Sequence, residues 1–472
     1  MRKRRSRTAV ILAAGEGKRL KSALPKVLHR AAGRPLVGHV LSSLAAIDLD
    51  RRVLVSSKRR DEIREALAEL AEGVDFVVQD PPRGTGDALR VALEVLDVDE
   101  GDVLVTAGDT PLLTTETLEE LLEVHERTGA SATVLTAHAQ DPAGYGRIVR
   151  DGDGNVEKIV EQRDATSAER DIHEINAGTY VFELSGLVEL LSKIDRENTQ
   201  GEYYLTDVIA LLRSSGRLVC AVVTDEAEIA GVNSRAQLAE ASALLRERAC
   251  ERFLEEGVTI VDPAVTYIDS SVKIERDATI LPFTFLEGET TVASGAEVGP
   301  QVRVVDSQIG PGAKVSFAVV RGSVLGPDTT VGPFASLRPG TRLEKGAELG
   351  TFVETKNTVI GENSAAHHLS YLGDAEIGRG VNIGAGTITC NWDGQSKNKS
   401  IVEDDAYIGS DTMLVAPVHV GKRAATGAGS VVRGDVPDDA LAVGVPARVI
   451  EGKGDKMKRA SEADKKPSER GE

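Results

Sequence analysis

Small and basic residues follow the first apolar run of the sequence. They form the segment Leu12-Ala13-Ala14-Gly15-Glu16-Gly17-Lys18-Arg19. Small residues allow backbone N–H groups to approach a phosphate or a base closely, and the lysine and arginine add positive charge. The segment lacks the third glycine of the dinucleotide motif GxGxxG and the Gly-Lys-Ser/Thr ending of the Walker A loop. It indicates an anion site, although an ordinary strand-to-helix turn explains the same residues.

Further positions in the first half carry groups suited to a nucleotide. Lys26 follows the rigid turn Leu24-Pro25, and Gln79 precedes the glycine-rich Gly84-Thr85-Gly86. Asp109 follows Gly108 at the end of an apolar run, where an open α/β sheet presents its ligands. An aspartate at a strand end is either a helix cap or a Mg²⁺ ligand, because both uses follow from the same short carboxylate.

Two adjacent histidines stand out in the second half. His367 and His368 lie in the segment Ala365-Ala366-His367-His368-Leu369-Ser370-Tyr371-Leu372-Gly373-Asp374. An imidazole can accept a proton from an amine near neutral pH, because its ordinary pKa is about 6.5. Neighbouring histidines cannot both face one site, and a surface or packed histidine explains either one alone.

The first half alternates strands and helices. Short apolar runs at 8–12, 52–55, 74–78 and 102–105 predict strands, and 35–46, 61–71, 87–96 and 115–127 predict helices. Continuous apolar strands between helices are typical of a mostly parallel sheet covered on both faces. The pattern continues to about residue 234, and 234–255 predicts a connecting helix with Ser234 as its N-cap.

After residue 257 the periodicity changes to six. The recurring aliphatic residues are Ile274, Ile280, Leu286, Val292, Val298, Val304, Ile309, Val315, Val331, Leu337, Leu343, Leu349, Ile377, Ile383, Ile408, Leu414 and Val420. A period of six predicts a β-helix of hexapeptide repeats, in which three hexapeptides make one triangular coil. The segment 390–400 has no repeat and several polar residues, so it is predicted to be a loop ejected from the coil.

Composition excludes several classes of protein. The net charge of −18 argues against nucleic-acid binding. The three cysteines are widely spaced, which favours neither disulfides nor a zinc site and is typical of a reducing cytoplasm. The apolar run after the basic start is too short for a signal peptide, and no stretch is long enough to insert into a membrane. The polar tail is predicted to be disordered.

With both halves in view, the chain resembles a known family. Residues 1–234 resemble sugar-1-phosphate nucleotidyltransferases. Residues 8–450 resemble the bacterial bifunctional N-acetylglucosamine-1-phosphate uridylyltransferase/glucosamine-1-phosphate acetyltransferase family, because both halves and their order agree. The resemblance implies an α/β fold: a Rossmann-like nucleotidyltransferase domain followed by a left-handed parallel β-helix. The expected boundaries are a uridylyltransferase domain at 1–234, a linker helix at 235–257, an acetyltransferase domain at 258–452 and a disordered tail at 453–472.

The resemblance also implies the reactions and the assembly. The β-helix would transfer acetyl from acetyl-CoA to glucosamine-1-phosphate. The first domain would then transfer uridylyl from UTP to N-acetylglucosamine-1-phosphate with Mg²⁺, releasing pyrophosphate. The product, UDP-N-acetylglucosamine, supplies peptidoglycan and lipopolysaccharide precursors. The family further implies a cytoplasmic homotrimer formed through the β-helix, without nucleic-acid partners.

In the first domain, the resemblance assigns residues to the nucleotide, the metal and the sugar. Arg19 and Lys26 would neutralise the triphosphate, and Asp109 and Asn233 would hold Mg²⁺. Gln79, Gly84 and Thr85 would contact uracil, and Gly146, Glu161 and Asn176 would contact the sugar. The other residues expected to bind UTP or UDP-N-acetylglucosamine are Leu12, Ala13, Ala14, Gly15 and Gly108.

In the second domain, the resemblance selects His368, three residues before Tyr371, as the base, and His367 is the expected control. The residues expected to bind glucosamine-1-phosphate are Arg338, Lys356, Tyr371 and Asn382. Those expected to contact acetyl-CoA are Ala385, Asn391, Trp392, Ser410, Ala428 and Arg448.

Two positions depart from the family pattern. Many relatives have Tyr where Trp392 stands, and Trp still supplies a flat apolar face. The family can have an arginine near the end of the β-helix that contacts a coenzyme A phosphate. Val445 occupies that position here, so Arg448 is the expected substitute. Two alternatives to the bifunctional enzyme remain: a nucleotidyltransferase for another sugar with a β-helix used only for assembly, and a non-enzymatic scaffold.

Overall fold

The computed structural model describes residues 5–15, 17–96 and 100–453. The predicted tail from residue 454 onward and the basic start up to residue 4 lie outside these ranges. The described chain divides into two compact units after Leu245, which lies inside the helix predicted as a linker.

The first unit is a mixed sheet with helices on both faces. Its elements in chain order are β1 Arg7–Ala13, β2 Arg30–Ala31, β3 Arg34–Pro35, α1 Leu36–Ala45, β4 Arg51–Ser56, α2 Arg60–Leu67, β5 Val74–Val78, α3 Thr85–Leu96, β6 Asp102–Ala107, α4 Thr115–Thr128, β7 Ala132–His138, β8 Arg147–Arg150, β9 Val156–Val160, α5 Ser167–Arg170, β10 Glu174–Glu183, α6 Leu187–Lys193, α7 Asp207–Ser214, β11 Val219–Thr224 and α8 Arg235–Glu255. Short 3-10 turns lie at Lys18–Leu20, Lys26–Leu28 and Ala68–Ala71.

The strand order β11-β7-β10-β6-β1-β4-β5 places β1 inside the sheet, between β6 and β4. Strands β6, β1, β4 and β5 are parallel, whereas β10 runs antiparallel to β6 and β7. Successive residues of a strand face opposite sides of a sheet. Accordingly, Val10 packs with α3, α6 and α7, while Ala9 and Ile11 pack with α1, α2 and α4. The predicted parallel core covered on both sides is confirmed.

The second unit is a parallel β-helix with three faces. Strands of the first face are Thr259–Ile260, Thr279–Ile280, Glu297–Val298, Lys314–Val315, Thr330–Val331, Glu348–Thr351, Ala365–His368, Asn382–Ile383, Tyr407–Ile408, Ala425–Thr426, Leu441–Gly444 and Ala447–Ile450. Strands of the second face are Thr266–Ile268, Thr284–Glu287, Arg303–Val305, Val319–Arg321, Ser336–Leu337, Glu354–Lys356, Tyr371–Gly373, Ile388–Cys390, Met413–Val415 and Val431–Val432. Strands of the third face are Lys273–Ile274, Thr291–Val292, Gln308–Ile309, Val324–Leu325, Arg342–Leu343, Val359–Ile360, Ala375–Ile377, Ser400–Val402 and Val418–Val420.

The six-residue period arises because one aliphatic residue per face points into the prism. Leu286, Val304, Val320 and Leu337 are in register on successive strands of the second face, and each is almost fully buried. The β-helix predicted from the repeat is confirmed, as is the left-handed form that the resemblance implied. The predicted ejected loop occupies 391–399, between a strand of the second face and a strand of the third.

Helix α8 contributes side chains to both units. Ala241 packs with Leu36, Leu112 and Val232 of the first unit. Cys250 and Phe253 belong to the apolar core at the start of the β-helix. The Gln237 N–H donates to Ser234 Oγ at 3.2 Å, so Ser234 caps the helix as predicted.

Candidate active sites

The carboxyl ends of β1 and β6 form the centre of the first site. The Gly108 N–H donates to Leu12 O at 2.9 Å, and a Cβ at Gly108 would lie 3.2 Å from Ala13 Cβ. This close packing explains the small residues Ala13 and Gly108. A Cβ at Gly15, in contrast, would meet no atom within 4 Å, so the space beside Gly15 is open for a ligand.

Lys26, Asp109 and Asn233 meet at this edge of the sheet. The Lys26 ammonium contacts Asp109 Oδ2 and donates to Asn233 Oδ1 at 2.5 Å. The Lys26 and Asp109 side chains are only 12% and 19% exposed, so the contact is largely shielded from water. The absence of a side chain at Gly17 leaves room for Lys26, because a Cβ at Gly17 would lie 2.5 Å from Lys26 Cβ. Two oxygens from distant segments therefore converge on one cationic group.

This arrangement suits a hard cation such as Mg²⁺. Magnesium usually takes one or two protein oxygens and completes its shell with phosphates and water. Asp109 and Asn233 supply such a pair, and the Lys26 ammonium stands where their oxygens converge. The described residues contain no group of three or more His, Cys, Asp or Glu placed to hold a metal.

Gln237 positions Asn233 and was not among the predicted residues. Its Oε1 accepts the backbone N–H of Asn233 at 2.9 Å. Its own backbone N–H is capped by Ser234. The spacing Ser-x-x-Gln is that of a capping box, and this signal could have identified Gln237 from the sequence.

The predicted uracil residues form a second cluster at the same edge. Gln79 is buried, and its Nε2 donates to Gly84 O at 3.0 Å and to Asp87 Oδ2 at 2.8 Å. Both acceptors are oxygens, so both amide N–H groups are used within the chain and the Gln79 carbonyl remains to meet a base. The Thr85 hydroxyl accepts from Leu205 N–H at 3.1 Å. Asp87, which fixes the Gln79 amide, was not predicted.

The predicted sugar residues lie on or next to β8, β9 and β10, where β8 pairs with both β9 and β10. Gly146 O accepts from Asn176 N–H at 2.9 Å, and the Asn176 side chain donates to Tyr180 at 2.7 Å. Glu161 accepts from the Thr206 hydroxyl at 3.3 Å. Burial raises the pKa of Glu161, and the nearby carboxylates Asp207, Asp164 and Glu202 raise it further. Arg19 lies on the 3-10 turn Lys18–Leu20 with its side chain exposed.

In the β-helix, His368 lies in a column of residues at the corner between the first and second faces, here called the first corner. The same backbone hydrogen bond links each coil to the next along this column. The His368 carbonyl accepts from the Gly386 N–H at 3.3 Å, the Ala385 carbonyl accepts from the Asp411 N–H at 2.6 Å, and the Ser410 carbonyl accepts from the Gly429 N–H at 2.8 Å. The repeated bond stacks His368, Ala385, Ser410 and Ala428 on successive coils. The structure thus places three predicted acetyl-CoA residues in line with the candidate base.

The corner between the second and third faces, here called the second corner, gathers the predicted phosphate residues. Arg338 and Lys356 lie at or beside this corner. Asn391, which was predicted to contact acetyl-CoA, also lies here and not in the column on the first corner, and the Tyr371 hydroxyl accepts from Asn391 Nδ2 at 3.4 Å. Arg338 also forms an ion pair with Glu354 at 3.0 Å. Lys397, on the ejected loop, faces Lys356 and lowers the pKa of the Lys356 ammonium. Lys397 was not predicted, although its place in a polar, non-repeating loop was a usable signal.

Asn382, Trp392 and Arg448 lie apart from these clusters within one chain. Asn382 is in register with Ala365, three residues before His368, and so lies at the opposite end of the first face. Trp392 is exposed on the ejected loop at the second corner, away from the acetyl-CoA column on the first. Arg448 pairs with Val443 in the terminal hairpin, near the end of the column.

A comparison with known proteins defines the class. Residues 9–175 match the model of the MobA-like NTP transferase domain. Together with the site at the sheet edge and the hexapeptide β-helix, this match defines a nucleotidyltransferase fused to a β-helix of the acyltransferase type.

Curated relatives identify the family. The chain is 47% identical over 435 residues to the bifunctional protein GlmU of Carboxydothermus hydrogenoformans, covering 92% of this chain and 96% of the relative. It is 48% identical over 442 residues to that of Streptomyces coelicolor, covering 93% and 92%, and 49% identical over 446 residues to that of Kineococcus radiotolerans, covering 94% and 91%.

The chain belongs to the family of bifunctional GlmU proteins. The resemblance stated from the sequence is therefore confirmed, and the chain is an enzyme with uridylyltransferase and acetyltransferase activities. The scaffold and assembly-only alternatives were wrong. Within the described ranges, no helix combines the length and apolar character needed to cross a membrane.

Proposed function

We propose that the first unit uses the Lys26–Asp109–Asn233 cluster to join UTP and N-acetylglucosamine-1-phosphate. A phosphate oxygen of the sugar forms the new bond to the α-phosphorus, and the bond to the β-phosphate oxygen breaks, releasing pyrophosphate. Arg19 and Lys26 bind the triphosphate, while Asp109 and Asn233 hold Mg²⁺. The metal would supply positive charge for the phosphate oxygens. The convergence of two protein oxygens on one cationic group carries this proposal.

Gln79 accounts for the choice of uracil. Its carbonyl oxygen is an acceptor and uracil N3–H is a donor, whereas cytosine presents an acceptor at N3. The Asp87 carboxylate keeps the Gln79 amide in this orientation, because Asp87 can only accept from its N–H. Gly84, Thr85 and the segment 12–15 complete the nucleotide side, and Gly146, Glu161 and Asn176 bind the sugar.

In the second unit, acetyl transfer would take place at the first corner. His368 accepts a proton from the amine of glucosamine-1-phosphate as the nitrogen attacks the thioester carbonyl of acetyl-CoA. The carbon–sulfur bond then breaks, and the proton passes to the departing coenzyme A thiolate. Acetyl-CoA would lie along Ala385, Ser410 and Ala428, with Arg448 near its far end. His367 pairs with Glu348 at 2.8 Å on the first face, which supports its use as a control.

Phosphate binding by the second unit would use the cations of the second corner. Arg338, Lys356 and Lys397 bring positive charge together, and the unfavourable Lys356–Lys397 contact would be relieved by a bound phosphate dianion. Tyr371 reaches across the second face toward this corner. Asn382 lies at the far end of the first face from His368, and Trp392 lies at the second corner, away from the acetyl-CoA column, so their proposed contacts would require a neighbouring chain.

An exposed aromatic stripe supports a homotrimer. Phe317, Phe334, Phe352 and Leu369 follow one another on successive coils of the first corner, and Phe334, Phe352 and Leu369 are 56%, 57% and 61% exposed. Ring centroids are 5.7 Å apart for Phe317–Phe334 and 5.5 Å for Phe334–Phe352. All four have positive φ, which costs bulky residues about 1–3 kcal/mol each. An apolar stripe of this kind is typical of a protein interface.

The oligomer can be tested by sedimentation. Phe334→Glu should yield monomers and lose acetyl transfer while still forming pyrophosphate. Val188→Glu, at an exposed apolar position on α6 of the first unit, is the control and should remain trimeric. A trimeric Phe334→Glu protein would contradict the proposed interface.

We further propose that the enzyme works in the cytoplasm, acetylating before uridylylating. All three cysteines are free thiols, as expected in a reducing compartment. The product, UDP-N-acetylglucosamine, would supply peptidoglycan and lipopolysaccharide precursors.

The decisive experiment supplies glucosamine-1-phosphate, acetyl-CoA, UTP and Mg²⁺ and follows thiol and pyrophosphate separately. His368→Ala should lose thiol release but still use N-acetylglucosamine-1-phosphate, whereas Asp109→Ala should lose only pyrophosphate. His367→Ala should retain both activities. Thiol release by His368→Ala at the wild-type rate would refute its role as the base.

A further inference from the structure

Asp374 is a buried carboxylate at the second corner to which the proposed chemistry assigns no role. Register on the second face stacks Asn357, Asp374 and Asn391 on three successive coils. Asn357 Nδ2 donates to Asp374 Oδ1 at 2.8 Å, and Asn391 Nδ2 donates to Oδ2 at 2.6 Å. Each carboxylate oxygen therefore has its own amide donor, and the three side chains form a ladder of hydrogen bonds.

Asp374 also holds both ends of the ejected loop. The loop leaves the coil at Asn391, whose side chain is bonded to the Asp374 carboxylate. It returns at Ser400, whose N–H donates to Asp374 O at 3.1 Å. The Asn398 N–H closes the base of the loop by donating to Asn391 O at 2.8 Å. One residue of the preceding coil thus fixes where the loop begins and ends.

The carboxylate lies among the cations assigned to phosphate binding. Burial by itself raises the pKa of Asp374, but the two amide hydrogen bonds and the charges of Lys397 and Lys356 outweigh it and lower the pKa. Asp374 is therefore ionised. It opposes the mutual repulsion of Lys356 and Lys397, since its charge raises the Lys356 pKa that Lys397 lowers.

We propose that Asp374 is the positioning residue of the acetyltransferase site. By anchoring the loop 391–399 and balancing Lys356 and Lys397, it holds both ammonium groups ready for the phosphate of glucosamine-1-phosphate without touching the substrate. This inference rests on the function proposed for the second unit.

The first test replaces Asp374 with Asn. The carbonyl oxygen of the new amide can accept a hydrogen bond from one of the two neighbouring asparagines. Its NH2 group then faces the NH2 group of the other asparagine, and two donors cannot bond to each other. Because hydrogen bonds to charged groups contribute about 1.5–3 kcal/mol, KM for glucosamine-1-phosphate should rise roughly tenfold or more. KM for acetyl-CoA should change far less. Asp306→Asn is a matched control, because Asp306 occupies the same corner with φ of 47° against 49° but lies away from the loop.

A rescue variant separates positioning from general damage. In Asp374→Asn/Asn357→Asp, the new amide at position 374 can accept from Asn391 and donate to the new carboxylate at position 357. Every hydrogen bond of the ladder is then restored with one negative charge beside the lysines. We expect KM for glucosamine-1-phosphate to return to within about threefold of wild type, a residual of under about 1 kcal/mol. Failure of the double variant to improve on Asp374→Asn would overturn the proposal.

Two further measurements keep the proposal testable if the Asp374 variant is poorly active. Trypsin should cleave after Lys397 or Lys399 faster in Asp374→Asn than in wild type, and equal rates would overturn the anchoring role. His368→Ala is assayed in parallel. If it still transfers acetyl, the function proposed for this site is wrong. If it is inactive while Asp374→Asn keeps a wild-type KM, only the positioning inference is wrong.

Discussion

Replacing Lys26 with Met should tighten binding of a divalent metal to the nucleotide-free protein. The Lys26 ammonium contacts Asp109 and Asn233, the two proposed metal ligands, so a metal must first displace it. Methionine has a similar length but no charge. The variant should therefore bind metal better while turning over UTP more slowly, because Lys26 is also proposed to bind the triphosphate.

The expected magnitude follows from the burial of the pair. The interaction free energies measured for exposed ion pairs are too small for the Lys26–Asp109 pair, because the two side chains are only 12% and 19% exposed. Two unit charges about 4 Å apart interact with a Coulomb energy of about 4 kcal/mol at an effective dielectric constant near 20, before the cost of removing them from water is subtracted. Hydrogen bonds to charged groups contribute about 1.5–3 kcal/mol, which corresponds to a roughly 10- to 150-fold tighter dissociation constant.

Manganese is the probe, because its free and bound forms are distinguished by electron paramagnetic resonance. The titration is made without nucleotide on wild type, Lys26→Met and Lys21→Met, the last removing an exposed lysine from the same loop. Lys21→Met should behave as wild type. Adding Asp109→Asn to Lys26→Met should abolish the gain. If Lys26→Met binds Mn²⁺ no more tightly than wild type, Lys26 does not compete for the metal position.

Three other changes test the first unit. Gly84→Ala should raise KM for UTP at least about tenfold, because the new Cβ would lie 2.5 Å from a backbone carbonyl oxygen. Gly73→Ala is the control: Gly73 also has positive φ but lies in open space, so this change should lower the free energy of unfolding by only about 1 kcal/mol. Burial and two neighbouring aspartates raise the pKa of Asp207 to about 6. The folded protein therefore favours the protonated carboxyl, whose contribution to the free energy of unfolding is complete below about pH 4 and is lost as the pH rises through about 6. Calorimetry should find Asp207→Asn more stable than wild type by about 1 kcal/mol at about pH 8, with no gain at about pH 4. Gln237→Ala should weaken Mn²⁺ binding about two- to tenfold, because Asn233 loses a backbone acceptor, and unchanged binding would exclude that positioning role.

Sequence patterns predicted the architecture because they record which residues are buried. The period of six between Ile274 and Val304 requires one inward aliphatic residue per face, and the β-helix satisfies it. Apolar runs such as 102–105 must be covered on both sides, which predicts a strand between helices. The loop 391–399 has several polar residues and no six-residue repeat, so the sequence also predicted that this segment leaves the coil.

The residue assignments of the sites came from resemblance to a family, whereas their partners came from the structure. Lys26 and Asn233 are 207 positions apart, and no local pattern predicts that they share a hydrogen bond. The polar composition of the loop pointed to Lys397, but its position beside Lys356 came only from the structure. Asp87 lies only eight positions from Gln79, but the sequence does not show that the two side chains meet.

What the sequence by itself determined is the order of the two units, the sheet with its helices, and the repeating coil. Each depends on the periodic burial of side chains, which neighbouring residues encode. Only the tertiary structure decided that Asn357, Asp374 and Asn391 form one ladder, and that Asn382 lies at the far end of the first face from His368. Such contacts depend on how successive coils close into register, because a shift of one residue moves a side chain to another position on the prism.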